Sequence, residues 1–343
     1  MSTWKALPAG CMHGRHLVLV GLLMLLGFVY ISKYWSFFRD TTPIYNSLQG
    51  VYRKSLSSAS NTQTNHICNL SAMHKYTAEE ITKYENNFSS IDDPGLVAFI
   101  QQRYLIYPSK APSTRVGPER HYSQEGQSQC VDDILEKKEN GFFIEAGALD
   151  GVFYSNSAFF ERHRGWTGLL MEPEIDLFRK LMKERPGSYA INACLSTLNK
   201  TSKVKFIIKK VTGWSHISDD SSTGNMIQIQ SFPLYSVLKA IGVDTVDYFS
   251  LDIEGPELEV LKTIPWDKIR INVITLEYRA RPGTKNASNV SKMRMDMFME
   301  YFNSLGIYDF YARITKLDLV FVRKDLRIKP LSNKDIDNKV IPF

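Results

Sequence analysis

Cysteine is scarce in this chain, and the four present, Cys11, Cys68, Cys130 and Cys194, form no C-x-x-C pair. The seven histidines are scattered without ligand spacing. A zinc site needs clustered sulfur and imidazole donors, so none is expected, and no metal ligands are assigned. Clustered basic charge is missing too: a net charge of +6 is spread along 343 residues, without a DNA- or RNA-binding motif. Nucleic acid is therefore not an expected partner. No internal repeat is visible. What remains is the composition of a globular protein with room for one α/β domain of about 230–250 residues and additional segments.

The informative stretch is residues 141–174, GFFIEAGALDGVFYSNSAFFERHRGWTGLLMEPE. Its order is strand, acidic glycine turn, helix, strand, acidic end, which is half of a nucleotide-type βαβ unit. The apolar run 142–144 enters a turn carrying Glu145, Gly147, Asp150 and Gly151, and the run 166–171 closes on Glu172. Glycine at the first turn lets backbone approach a ligand, and an acid closing the second strand can accept hydrogen bonds from both hydroxyls of a ribose. Carboxylates in the first turn would repel a pyrophosphate. They suit instead a cofactor with an amino group and a sulfonium, such as S-adenosylmethionine. The alternative is an ordinary strand-to-helix turn with Asp150 near a helix N-terminus.

A second constellation, VDYFSLDIEGPELEVLKTI at residues 246–264, reads as an apolar strand ending in Asp252 and Glu254, a turn at Gly255, and a helix opened by Pro256. Three acids within six residues repel one another unless they meet a donor or a cation. Ligands of open α/β sheets collect at such strand ends. Asp252 and Glu254 are accordingly candidate catalytic residues, with Asp252 also on the cofactor side. Glu257, in the first helical turn, reads as a helix-dipole residue. Another apolar strand, 271–276, ends on Glu277. Residues 189–195 read as one strand, 203–209 as an alternating strand, and 213–230 as an irregular polar loop in which His216 is an exposed histidine; a loop of that length could close over a site. A helix at 292–305 and a hairpin from runs 308–312 and 317–323 end the pattern.

Residues 17–31, LVLVGLLMLLGFVYI, carry no charge, and with Tyr34, Trp35, Phe37 and Phe38 the run reaches ~22 residues, a helix of ~33 Å that can span a bilayer. The rival readings are a cleaved signal peptide and a buried core helix. No small-x-small pattern follows Ile31, and a core helix would hardly stand alone before a polar linker. Charge bias around the run is weak, but the N-x-S/T sequons at Asn69, Asn87, Asn199, Asn286 and Asn289 all follow it, which favours a lumenal body. In that oxidising compartment Cys68 and Cys130 flank the start of the folded body and could pair, for roughly 4 kcal/mol on a chain-entropy model. The expected organisation is a cytosolic tail (1–16), a transmembrane signal anchor (17–38), a Ser/Asn/Thr-rich lumenal stem (39–95), a folded domain (96–330) and a C-terminal tail (331–343).

FIEAGALDG with SNSAFFE behind it, GLLMEPE, FSLDIEGPELEVL and ITLEY, in that order within residues 140–325, resemble the successive blocks of the FkbM-type methyltransferase domain. The tail, anchor, stem and DDPGLVAFIQQRYLIYPS block ahead of it are similar to those of the Star protein family of arthropods. The first resemblance implies a doubly wound, Rossmann-like class I methyltransferase sheet with a C-terminal antiparallel hairpin and S-adenosylmethionine as cofactor. Glu145, Gly147, Asp150 and Gly151 would lie on its methionine side, Glu172 at the ribose, Asp252 and Glu254 on the methyl-transfer side, and Glu277 beside them. The second implies a type II membrane protein of the endoplasmic reticulum and Golgi, reaching endosome and plasma membrane, that moves membrane-protein cargo such as growth-factor precursors. One departure is Ser250, where the family commonly carries lysine or arginine; no dedicated general base is evident. Two functions stay open: cargo transport, and O-methyl transfer to a lumenal glycan, lipid or small hydroxylated acceptor.

Overall fold

The computed structural model of the chain describes residues 74–86, 90–109, 118–208, 215–217, 225–281 and 283–328. The expected tail, membrane span and first part of the stem, the C-terminal tail, and with them Cys68, Asn69 and Asn87, lie outside the described residues. Among the described residues no helix is long and apolar enough to cross a membrane.

Strands buried on both faces read as near-continuous apolar runs, and such runs form the middle of the main sheet. From edge to edge it comprises β1 (Leu105–Ile106), β4 (Tyr189–Ile191), β3 (Thr167–Met171), β2 (Phe142–Ala146), β9 (Thr245–Leu251), β10 (Arg270–Glu277), β12 (Asp318–Arg323) and β11 (Tyr308–Ile314). Strands β4, β3, β2, β9 and β10 are mutually parallel; β1 and the β11–β12 hairpin bring antiparallel pairings to the two edges. The order reverses between β2 and β9, the position where doubly wound sheets open a crevice at their carboxyl ends. This is the class I methyltransferase arrangement expected from the sequence, hairpin included.

Helices α1 (Ala78–Asn86), α2 (Pro94–Arg103), α3 (Gln127–Ile134), α4 (Ala158–His163), α5 (Ile175–Glu184), α6 (Leu234–Ile241), α7 (Glu257–Lys262) and α8 (Ala287–Leu305) accompany the sheet. Local chemistry sets their ends: Asp93 accepts from the Gly95 N–H at 2.7 Å with Pro94 opening α2, and Gly242 (φ 82°) closes α6. Under the sheet, Phe160 packs against Trp166 and Tyr248 with ring centroids 4.6 and 5.6 Å apart. Truncating either buried Phe160 or Trp166 to alanine would cost about 3–5 kcal/mol.

Three expectations are corrected. The ordered body starts before residue 96: α1 lies in the expected stem yet docks on the body, with Tyr84 against Phe99 at 5.3 Å and Glu85 taking Lys203 (2.8 Å) and the Tyr104 hydroxyl (2.7 Å). Its start is a reciprocal capping box, Thr77 with Glu80. No residue of α1 is fully buried, so apolar periodicity does not reveal it. Residues 189–195 are not one strand: after β4 the chain turns at Asn192 and enters β5 (Cys194–Leu195) in a second sheet, ordered β5, β8 (Asn225–Phe232), β6 (Ser202–Ile208), β7 (His216–Ile217). Where the expected irregular loop is described it is strand: residues 216–217 form β7 and 225–230 belong to β8, along which Ile227 and Ile229 alternate with Gln228 and Gln230. His216 is buried in β7, its backbone paired opposite Ile207.

Candidate functional site

At the reversal of strand order, β2 and β9 end side by side. The Gly147 N–H donates to Met171 O (3.1 Å) and the Asp252 N–H to Ala146 O (3.2 Å). Gly147 takes φ 86°, and a Cβ there would overlap the backbone carbonyl of Asp252, so this turn requires glycine. In front of these ends lies a cavity open to solvent. Gly147, Leu149, Glu172, Asp252 and Glu254 line it, with Leu177, Leu195, Phe206 and Ile217 as apolar wall.

Glu172 closes β3. Its Oε2 accepts from the Leu149 N–H at 2.9 Å and its Oε1 from the Glu174 N–H at 2.8 Å. Asn192, at the sheet-switching bend, donates to the carbonyls of Glu172 and Pro173 (2.8 and 2.9 Å) and holds this strand end in place. Burial pushes the Glu172 carboxyl up to about 8 against the pull of its two N–H donors. Each oxygen keeps a further lone pair for a guest hydroxyl.

Three residues expected on the cofactor's methionine side do not line the cavity. Glu145 is buried beneath the turn, where its carboxylate accepts from the Asn156 N–H (2.6 Å), Ser155 Oγ (2.8 Å) and Ser157 Oγ (2.5 Å), with the Arg185 guanidinium 3.9 Å away. Burial raises its pKa and Arg185 is the main opposing influence. Asp150 accepts from the Val152 and Phe153 N–H groups (3.0 and 2.8 Å), closing its own turn. Gly151, at φ 84°, presses on Arg185, whose Cγ would stand 2.7 Å from an added Cβ. These residues shape the turn from behind, because the Glu145 side chain projects from a sheet face and not from the strand's end. Ser250, the departure from the family pattern, is buried beside them and accepts from the Asn156 amide at 2.9 Å.

Asp252 and Glu254 line the other wall, and with Glu277 beside them each presents a carboxylate oxygen within 4.8 Å of the others. Glu254 sits in the left-handed region (φ 61°) and Gly255 at φ 145°, a bend of the kind that concentrates at functional sites. Glu257 holds that bend and is more than a helix-dipole residue: fully buried, it accepts from the Ile253 and Gly255 N–H groups (3.2 and 2.9 Å) and from Arg294 (2.6 Å). Burial, then mutual repulsion, raises Asp252 and Glu277 well above the carboxylate range and Glu254 to about 7. Asp318, opposite Glu277 in the β10–β12 register and bonded by Gln127, is pushed up by burial to about 6. Sequence reasoning missed Asp318; an acid opening the apolar run LVFV was its only local signal. Of the remaining expectations, Asn199, Asn286 and Asn289 are exposed, while Cys130 is buried in α3 and its expected partner Cys68 lies outside the described residues.

Comparison with known proteins agrees with this geometry at the level of the domain. Residues 145–306 match the family model described as Methyltransferase FkbM domain. A comparison with curated proteins finds no match. Similar solved structures include the Methanococcus jannaschii fibrillarin pre-rRNA processing protein, 13% identical over 54% of this chain and 67% of that one, with a TM-score of 0.32. Aeropyrum pernix fibrillarin with natively bound S-adenosyl-L-methionine is 14% identical over 62% and 85%, TM-score 0.32. A METTL16 methyltransferase domain is 13% identical over 69% and 82%, TM-score 0.33.

Proposed function

We propose, from the FkbM-type methyltransferase domain carried by residues 145–306, that this protein transfers a methyl group from S-adenosylmethionine to a hydroxyl of a glycan, lipid or small acceptor. One observation carries the reading. Glu172 and the pair Asp252 and Glu254 stand on the walls of a single cavity at the sheet's switch point, where a ribose-bearing cation finds both kinds of contact it needs.

The residues present fit that cofactor. Glu172, braced by two backbone N–H groups, would receive the ribose hydroxyls; the apolar wall would take a purine; the Gly147 turn would face the methionine portion; Asp252 and Glu254 would favour a positive sulfonium. When bound, the cofactor supplies an electrophilic methyl group on that sulfonium. The protein's part is to align the acceptor oxygen and remove its proton. The Glu254 carboxylate, on the cavity wall and raised by burial to about 7, is the group placed to take it. Calorimetric titration of the purified protein with S-adenosylmethionine tests the reading: saturable binding that Glu172→Ala abolishes is expected, and no saturable binding at millimolar cofactor would refute it.

The second reading is a membrane-anchored escort of cargo in the endoplasmic reticulum and Golgi, with a lumenal body. It is supported by the uncharged run 17–31 and by five sequons, all beyond that run. Export of a co-expressed membrane precursor that is unaffected by Glu172→Ala, while knockdown of the protein blocks it, would favour this role over methyl transfer.

A further inference from the structure

Beside the wall assigned to the cofactor, the cavity has an acidic end. Asp252, Glu254 and Glu277 come from the ends of two neighbouring parallel strands, β9 and β10, and from the bend that Glu257 clamps. Glu277 is only 7% exposed, and its Oε2 has no hydrogen-bond partner although it is buried. The same holds for Glu254 Oε2. A buried carboxylate oxygen left without a donor is a costly arrangement, and here two of them stand in one cluster. Arg294, which packs at this end, donates instead to Glu257 and to the Glu277 backbone carbonyl (2.6 and 2.9 Å).

We propose that Asp252, Glu254 and Glu277 together bind one hard divalent cation, Mg²⁺, Mn²⁺ or Ca²⁺, at the acceptor end of the cavity. The donor set is oxygen only, which selects such ions over zinc or copper. Oxygens sharing one ion at roughly 2.0–2.6 Å from it stand at most ~4–5 Å apart, a limit the 4.8 Å spread of the three carboxylates satisfies. Three protein ligands leave about half of a six-coordinate shell for water or a guest. Asp252 and Glu254 line the cavity, so the open positions face it. An acceptor with a hydroxyl, or better two adjacent ones, would ligate there. The ion lowers the hydroxyl's pKa, and its proton passes to the second oxygen of Glu254 or to a bound water. The purpose of the ion rests on the methyl-transfer reading; its existence does not.

The test uses the full-length protein in detergent, stripped with chelator and titrated with Mn²⁺ by calorimetry and electron paramagnetic resonance, with thermal unfolding in Mg²⁺ and Ca²⁺ alongside. One saturable ion per chain and a raised Tm are expected. Binding should weaken at least tenfold in Glu277→Gln and Asp252→Asn and stay unchanged in Glu259→Gln, an exposed acid of α7. Glu277→Gln relieves repulsion, so it should unfold at a higher temperature than stripped wild type; Glu254→Gln is the second variant should one fail to fold. Absence of saturable Mn²⁺ binding at millimolar metal, or equal binding by these variants, overturns the site. Titrating the stripped protein with S-adenosylmethionine separates the two readings. Cofactor binding without ion binding refutes only the cation site, and ion binding without cofactor binding supports the site and refutes methyl transfer.

Discussion

Replacing Arg185 by methionine should destabilise this protein more than almost any other conservative-volume change behind the cavity. The Arg185 side chain is fully buried, with Nε 2.8 Å from Glu161, Nη1 2.9 Å from the Gly151 carbonyl and 3.2 Å from Ser155 Oγ, Nη2 3.0 Å from Ser157 Oγ, and Glu145 at 3.9 Å. Methionine keeps most of the apolar stem but strands two buried carboxylates. Removing one partner of a buried ion pair costs about 3–5 kcal/mol. At ~2–4 °C per kcal/mol for a body of this size, Tm should fall by roughly 6–20 °C. The deficit should depend on pH. Burial already raises the Glu145 pKa and Arg185 opposes that shift, so without Arg185 the folded state holds a proton to higher pH than the unfolded chain. Stability of the variant is then retained at low pH and lost as pH rises through the new value. Urea unfolding at pH 5 and pH 8 should show the smaller deficit at pH 5, and adding Glu161→Gln should recover part of the loss at pH 8. A loss below ~1 kcal/mol at pH 8, where a buried pair predicts several, or a deficit that grows toward pH 5, would refute the reasoning.

Glu172→Gln should flatten the pH dependence of stability. The wild-type carboxyl is raised from 4.5 to about 8, so its contribution is full below pH 4.5 and is lost as pH rises toward 8, with a slope of at most ~1.4 kcal/mol per pH unit; the wild-type minus variant difference between pH 5 and 8 measures it. Gly147→Ala places a Cβ against the Asp252 carbonyl at positive φ. A loss of about 1–3 kcal/mol and of cofactor binding is expected from chemical unfolding and calorimetry, and an unchanged Kd would show that the turn adapts.

The cavity's strand ends are legible in the sequence because each is an apolar run halted by an acid: LLME, FSLDIE and ITLE. The helix opened by Thr77 and Glu80 was read as stem, because the polar residues around its capping box disguise a helix that docks through Tyr84 and Glu85. Arg185 has no such signal. A cation ending an amphipathic helix looks like a surface residue until the βαβ unit folds over it and brings Glu145, Gly151 and Glu161 around it. Asp318 is in the same position, since only the antiparallel return of β12 sets it opposite Glu277.

By itself the sequence determined the parallel strands at the centre of the main sheet and its closing hairpin, the glycine turn and the acids at the strand ends, because these are written in local periodicity and in residues next to one another along the chain. Which way each acid points was decided by tertiary structure alone. Glu145 and Glu172 both lie at the ends of parallel strands, yet one is sealed beneath the turn by Arg185 and three hydrogen-bond donors while the other faces the cavity. The physical reason is that a carboxylate's role depends on the donors and low-dielectric surroundings that distant segments bring to it, and strand pairing and sheet order assemble those only on folding.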